Sequence, residues 1–252
     1  MPSYSNYEDI LKVSNCNSYN DEELAEVVFK KTLVFLKKIK SEVIQITDTD
    51  AYSLLAVINP ILENKTNCIN ILDFGGACGA HYFQLRSLIE NNISLNWVVV
   101  ETSNMVKYGK KLETEELSFC ENISDAIEKL GHFDLIHTSG TLHCLSTPQI
   151  FLSDLLNCNS KWLLFNRLVL NEQEKDIFTI YSSMLSWNGI GELPKGHVDR
   201  IIKYPFFIFS ERRFYSFLNI KYKVIAKFNE RTRIYSVKSA KIVSYGILCK
   251  LK

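Results

Sequence analysis

The chain has 252 residues, 46% of them hydrophobic and 23% charged, with a formal net charge of +1. Those figures suit an ordinary globular protein with a substantial core and give no reason to expect a polyanionic partner such as nucleic acid. No apolar run reaches the ~20 residues that span a bilayer, and MPSYSNYEDILK at the N-terminus lacks the apolar centre of a signal peptide.

The seven cysteines are scattered, with no C-x-x-C pair. They read as free thiols in a reducing, cytoplasmic setting, and no metal is expected.

Residues before Asn20 look loosely structured. Asn20 and Asp21 then offer N-caps for a helix carrying Leu24, Val27, Val28, Leu33, Leu36 and Ile39. A second helix is expected from Thr49–Asp50, with Pro60 bending or ending it. These two helices, residues 1–65, form an extension ahead of the main domain, 66–252.

The main domain opens with INILDFGGACGAHYFQLR, residues 69–86. Ile69, Ile71, Leu72 and Phe74 read as a buried strand, and apolar residues recur at helical spacing after the glycines. Between them, Gly75, Gly76, Ala77 and Gly79 make a turn whose backbone N–H groups a small molecule can approach. Asp73, two residues before the first glycine, would repel a pyrophosphate and favour a cation. The stretch also lacks the G-x-G-x-x-G spacing of a dinucleotide site.

Leu95–Glu101 is expected as a second buried strand ending in an acid. Glu101, with Thr102 after it, can accept hydrogen bonds from both hydroxyls of a ribose. A helix follows from Ser103 or Asn104, then a strand at Leu117–Cys120 and a helix from Ser124. Glu121, Asn122 and Ile123 form the turn between them. Phe133–Ser139 is a fourth strand and Thr147–Asn157 a helix with Pro148 in its first turn. Lys161–Leu170 is a fifth strand, interrupted by Asn166-Arg167 where open α/β sheets place ligand contacts.

The pattern changes over 171–210, read as a substrate-side insertion. Ser210 should cap a further helix, and two final strands near Tyr222–Phe228 and Ile242–Leu251 suit an antiparallel pair at the sheet edge.

The run from Asp73 to Gly79 resembles motif I of the class I S-adenosylmethionine-dependent methyltransferases, acid-x-Gly-x-Gly-x-Gly, with Ala77 in place of the middle glycine. DFGGACGAHYFQLR, NWVVVETSNMVKYG, FDLIHTSGTLHCL, LLFNR and YPFFIFSERRFYSFL, in this order, are similar to a family of bacterial methyltransferases. That family is associated with surface-polysaccharide and lipopolysaccharide biosynthesis. Leu168-Val169 depart from the family's Thr-Pro, and Tyr181 from its usual Gln.

The resemblance implies a Rossmann-like α/β fold, a seven-stranded, mostly parallel sheet with an antiparallel edge strand and helices on both faces. It implies S-adenosylmethionine as cofactor, held by Asp73, Gly75, Gly76, Ala77, Gly79, Glu101, Thr102, Glu121, Asn122, Ile123, Ser139 and Gly140. His143, then His197, would be the base for a hydroxyl acceptor. Tyr82, Asn166, Arg167, Tyr181 and Tyr204 are the candidate contacts for a sugar or glycan-precursor substrate, with a homodimer allowed. Two alternatives stand beside this reading: an NAD-binding oxidoreductase, and a catalytically silent partner protein of the same fold.

Overall fold

The computed structural model describes residues 3–4, 6–13, 19–65, 67–230, 235–237 and 240–252; Cys16 lies outside them. Three helices precede the sheet: α1 (Tyr7–Val13), α2 (Glu22–Ser41) and α3 (Asp48–Asn64). The short α1 lies where loose structure was expected. Asp21 caps α2, accepting from the Leu24 N–H at 2.8 Å. The second helix starts earlier than expected, because Thr47 and Asp50 form a reciprocal capping box. Pro60 does not end it. The proline is buried with Ala56 and Val57, and burying that face against the sheet offsets the lost backbone hydrogen bond.

Seven strands form the main path of the sheet. They are β1 (Cys68–Phe74), β2 (Ser94–Val100), β3 (Leu117–Cys120), β4 (Leu135–Ser139), β5 (Trp162–Asn171), β8 (Tyr222–Asn229) and β10 (Ala240–Leu251), in the order β3-β2-β1-β4-β5-β10-β8. The pairs among β1 to β5 are parallel, and β10 runs antiparallel between β5 and β8. This is the Rossmann-like class I methyltransferase fold expected from the sequence, with a reversed strand that a dinucleotide fold does not place there.

Between the strands lie α4 (Ala80–Arg86), α5 (Ser103–Gly109), α6 (Ile123–Leu130), α7 (Pro148–Asn157) and α8 (Glu211–Lys221). Strand alternation divides the core. Leu72 and Phe74 pack on one face with Leu152, Phe165 and Phe214, whereas Ile69 and Ile71 pack on the other with Val57, Leu85 and Trp97. Ser210 occupies the N-cap position of α8, but its hydroxyl makes no capping bond; its N–H donates to Asp176 instead.

The insertion is a hairpin of β6 (Ile177–Met184) and β7 (Ile201–Ser210), with β7 also joining β5 at Leu170 and Asn171. Its 185–200 loop is fastened to α2 by Lys31, whose buried ammonium donates to the carbonyls of Ser186 and Asn188, each at 2.7 Å. A three-residue strand, β9 (Tyr235–Val237), pairs with the start of β10. No helix among the described residues is long and apolar enough to cross a membrane, and the six described cysteines are free thiols.

Candidate active site at the carboxyl edge of the sheet

The glycine turn leaves β1 at the carboxyl edge of the parallel strands. Gly75 has φ +76° and donates its N–H to Val100 O, which stitches the turn to the tip of β2. A Cβ on Gly75 would lie 2.0 Å from Thr141 Oγ1, so this position admits no larger residue. Ala77, at the resembled motif's middle glycine, also lies in the left-handed region, with φ +51°. That conformation costs an alanine roughly 1–2 kcal/mol.

Glu101 closes the turn from the side. Its carboxylate accepts from the Ala77 N–H at 3.1 Å and from the Thr102 N–H at 2.8 Å. Burial pushes its pKa up to about 6, against the pull of those two hydrogen bonds. An acid at the tip of β2, fixed by backbone donors, is an acceptor in position for a pair of hydroxyls. Because it occupies a loop N–H, it also disfavours a pyrophosphate on this turn.

Asp73 does not face a ligand, contrary to expectation. Strand parity puts it on the face of Ile69 and Ile71, where it is fully buried. One oxygen lies 2.8 Å from His137 Nδ1; the other accepts from Trp97 Nε1 at 3.3 Å and lies 3.4 Å from His81 Nδ1. Burial opposes its ionisation, but the imidazoles of His137 and His81 outweigh it and hold the carboxyl well below the usual carboxylate range.

His137 is also fully buried, and burial lowers its pKa. A neutral ring donates from Nδ1 to Asp73 and accepts at Nε2 from Ser53 Oγ, 3.0 Å away. Asn166 Nδ2 in turn donates to Ser53 Oγ and to Thr49 O. This buried chain ties α3 to β5, β4 and β1, and the Asp73 carboxylate supports the turn from beneath. Asn166 is thereby spent on α3 and does not face a substrate.

Asp73, His81 and His137 bring three ligand atoms within 4.8 Å of one another. The 2.8 Å contact between Asp73 and His137 is a hydrogen-bond distance, and sharing a tetrahedral ion would spread those two atoms to about 3.4 Å.

Two other expectations change for reasons of burial. His143 sits in a 3-10 turn and is 2% exposed. Its Nδ1 is 3.2 Å from Phe207 O, while Nε2 lies 2.9 Å from Arg167 O and accepts from the Val169 N–H at 3.1 Å. Burial lowers its pKa to about 4, so the ring is neutral but has no nitrogen free for an acceptor. It positions β5 and β7. Tyr82 is buried, and its hydroxyl donates to Glu116, which precedes β3 at the opposite edge of the sheet.

His197 lies on the insertion loop against α2, between Lys30 at 3.2 Å and Glu23 at 3.7 Å. Asn122 caps α6 through the Asp125 N–H, Glu121 is exposed, and Ile123 packs on the core. The Asn122 amide is therefore engaged in the helix cap.

Of the remaining candidates, Arg167 reaches Ser139 and lies against Gly140. Arg167 donates from Nε to Ser139 Oγ and from Nη2 to Ser139 O, both at 2.9 Å. Tyr181 and Tyr204 belong to an aromatic row: Tyr19 to Tyr204 at 5.1 Å, Tyr204 to Tyr181 at 5.3 Å, and Tyr181 to Phe206 at 5.1 Å between ring centroids. Burial pushes the phenols of Tyr19 and Tyr204 far above their ordinary range and the Cys144 thiol up to about 12, so all three stay protonated. Tyr19 was missed because its segment carries no periodic pattern; only the fold brings it to β7.

No family model and no curated protein matches the chain. Similar solved structures include an S-adenosylmethionine-dependent methyltransferase from Clostridium acetobutylicum ATCC 824 (12% identity, 88% of this chain and 98% of that one, TM-score 0.48). A glycopeptide N-methyltransferase, MtfA, complexed with (S)-adenosyl-L-methionine, has 9% identity, coverage of 78% and 87%, and TM-score 0.47. A magnesium protoporphyrin IX methyltransferase from Synechocystis PCC 6803 with bound SAM has 11% identity, coverage of 90% and 97%, and TM-score 0.44. At that level of likeness they decide nothing about this chain's chemistry, and the fold stands on its own strand order.

Proposed function

We propose that this chain is a methyltransferase that binds S-adenosylmethionine at the carboxyl edge of β1, β2 and β4. The observation that carries the reading is Glu101. Its carboxylate sits at the tip of β2 and is held by the Ala77 N–H of the glycine turn, on a sheet whose β10 is reversed. The donor set fits the cofactor: an acceptor pair for a ribose diol and a turn already occupied by a carboxylate. That same carboxylate takes over the case against NAD from Asp73, which the fold withdraws into the core.

When bound, S-adenosylmethionine supplies a methyl group on a sulfonium, already activated for transfer. The protein's part is then alignment and exclusion of water. Glu101 holds the ribose end. Gly75 to Gly79 and the Ser139-Gly140 turn present backbone to the methionine end. The Tyr19, Tyr181 and Tyr204 row walls the acceptor side. With His143 buried and His197 on α2, neither serves as base, and the acceptor is an amine or a hydroxyl brought into line.

The family resemblance and the aromatic row support a sugar of a surface-glycan precursor as acceptor. Calorimetric titration with S-adenosylhomocysteine tests the cofactor, with NADH as the control. Heat is expected from the first and none from the second. No heat from S-adenosylhomocysteine at millimolar concentration overturns the proposal.

A further inference from the structure

We propose that Arg167 anchors an anionic group, a phosphate or a carboxylate, on the methyl acceptor. This rests on the methyltransferase reading and specifies its substrate class.

Arg167 interrupts a strand in which every other residue is buried. Its backbone is left-handed, with φ +51°, and is held at its N–H. Its N–H donates to the buried Glu230 carboxylate, and its carbonyl lies 2.9 Å from His143 Nε2. That conformation turns the side chain out over the end of β4, beside Ser139, the register partner of the preceding Asn166. There the two bonds to Ser139 fix the guanidinium plane. Gly140 leaves room for it, since a Cβ at that position would lie 3.4 Å from the guanidinium carbon.

Among the described residues the charge so fixed has no counter-ion. Glu230 takes the backbone N–H and the Ser244 hydroxyl, and among the described residues no carboxylate pairs with the guanidinium. Arg167 remains exposed. A planar cation held by neutral groups, with donors left over, matches the two oxygens of a carboxylate or phosphate.

Ser139, which the guanidinium grips, opens the Ser139-Gly140 turn proposed for the methionine end of the cofactor. An acceptor lying against that turn would reach Arg167 with an anionic substituent.

The test is NMR of the protein labelled with 15N-arginine, with and without S-adenosylhomocysteine. The Arg167 Nε–H resonance is assigned by its loss in Arg167→Lys, and inorganic phosphate, acetate and chloride are titrated at matched ionic strength. A saturable shift at millimolar phosphate or acetate, and none with chloride, is expected. Phosphate alone identifies a phosphorylated acceptor, and acetate alone a carboxylated one.

In Arg167→Gln, calorimetry should leave S-adenosylhomocysteine affinity within twofold of the parent. A tenfold loss there would assign the guanidinium to the cofactor's carboxylate and overturn the proposal, as would the absence of a saturable shift with either anion. Absence of S-adenosylhomocysteine heat in the parent protein defeats the methyltransferase reading instead, so the two failures are distinct. Arg167→Lys serves as the check if Arg167→Gln fails to fold.

Discussion

Glu101 and Asp73 divide the work expected of a single acid. Glu101 is held with its pKa near 6 by burial, so its ionised form destabilises the folded protein, progressively as pH rises from 4.5 to 6. Glu101→Gln removes that cost while giving up the acceptor for the Thr102 N–H. It should raise stability at pH 7.5 by about 1 kcal/mol, or roughly 2–4 °C in a protein of this size. It should also weaken S-adenosylhomocysteine binding at least tenfold, and thermal unfolding with calorimetry on the same sample reads both. Asp73 has the opposite character, being buried and satisfied by three side chains. Asp73→Asn should cost about 2–3 kcal/mol by denaturant unfolding and shift the His137 ring nitrogens in 15N spectra, as the Nδ1–H loses its anionic acceptor.

Among the elements, the hairpin of β6 and β7 depends most on a contact distant in sequence. Lys31 is 1% exposed, and burial lowers its pKa, opposed only in part by the Asp199 carboxylate. Its two bonds to the 185–200 loop hold the hairpin's distal end on α2. Lys31→Met keeps much of the packing but leaves two carbonyls unsatisfied. It should cost about 1–3 kcal/mol and open the loop to limited proteolysis ahead of the rest of the chain. An unchanged cleavage pattern would show that Gly189, packed against Val28, and the Arg200–Glu23 ion pair hold the loop without it.

For the molecule as a whole, the buried histidines set the acid limit. In the unfolded chain a histidine takes up its proton near pH 6.5, whereas the folded protein withholds it from His143 until about pH 4. Stability present at pH 7 is therefore lost as pH falls through that interval, in full about 3 kcal/mol from this ring. His137 acts in the same direction, and Glu101 offsets part of it between pH 6 and 4.5. Urea unfolding at pH 7.5, 6 and 5 should give steadily lower midpoints. His143→Leu should flatten the profile, although its midpoint at pH 7.5 should drop because Val169 N–H and Phe207 O lose their partner.

The sequence by itself determined the strand order's raw material. The apolar runs of β1, β2, β4 and β5, the glycine turn, Asp21 and Pro148 at helix starts and the closing antiparallel strands are local patterns with local causes. It also determined Glu101, because a polar residue ending a buried run can only sit at the sheet's edge. Tertiary structure decided the rest. Parity along β1 turned Asp73 inward, packing buried His143 and Tyr82, and chain reversal brought Tyr19 against Tyr204. Periodicity shows that a position is buried or edge-on, but which residues share a face or surround a charge depends on contacts far apart in the chain, and those exist only once it has folded.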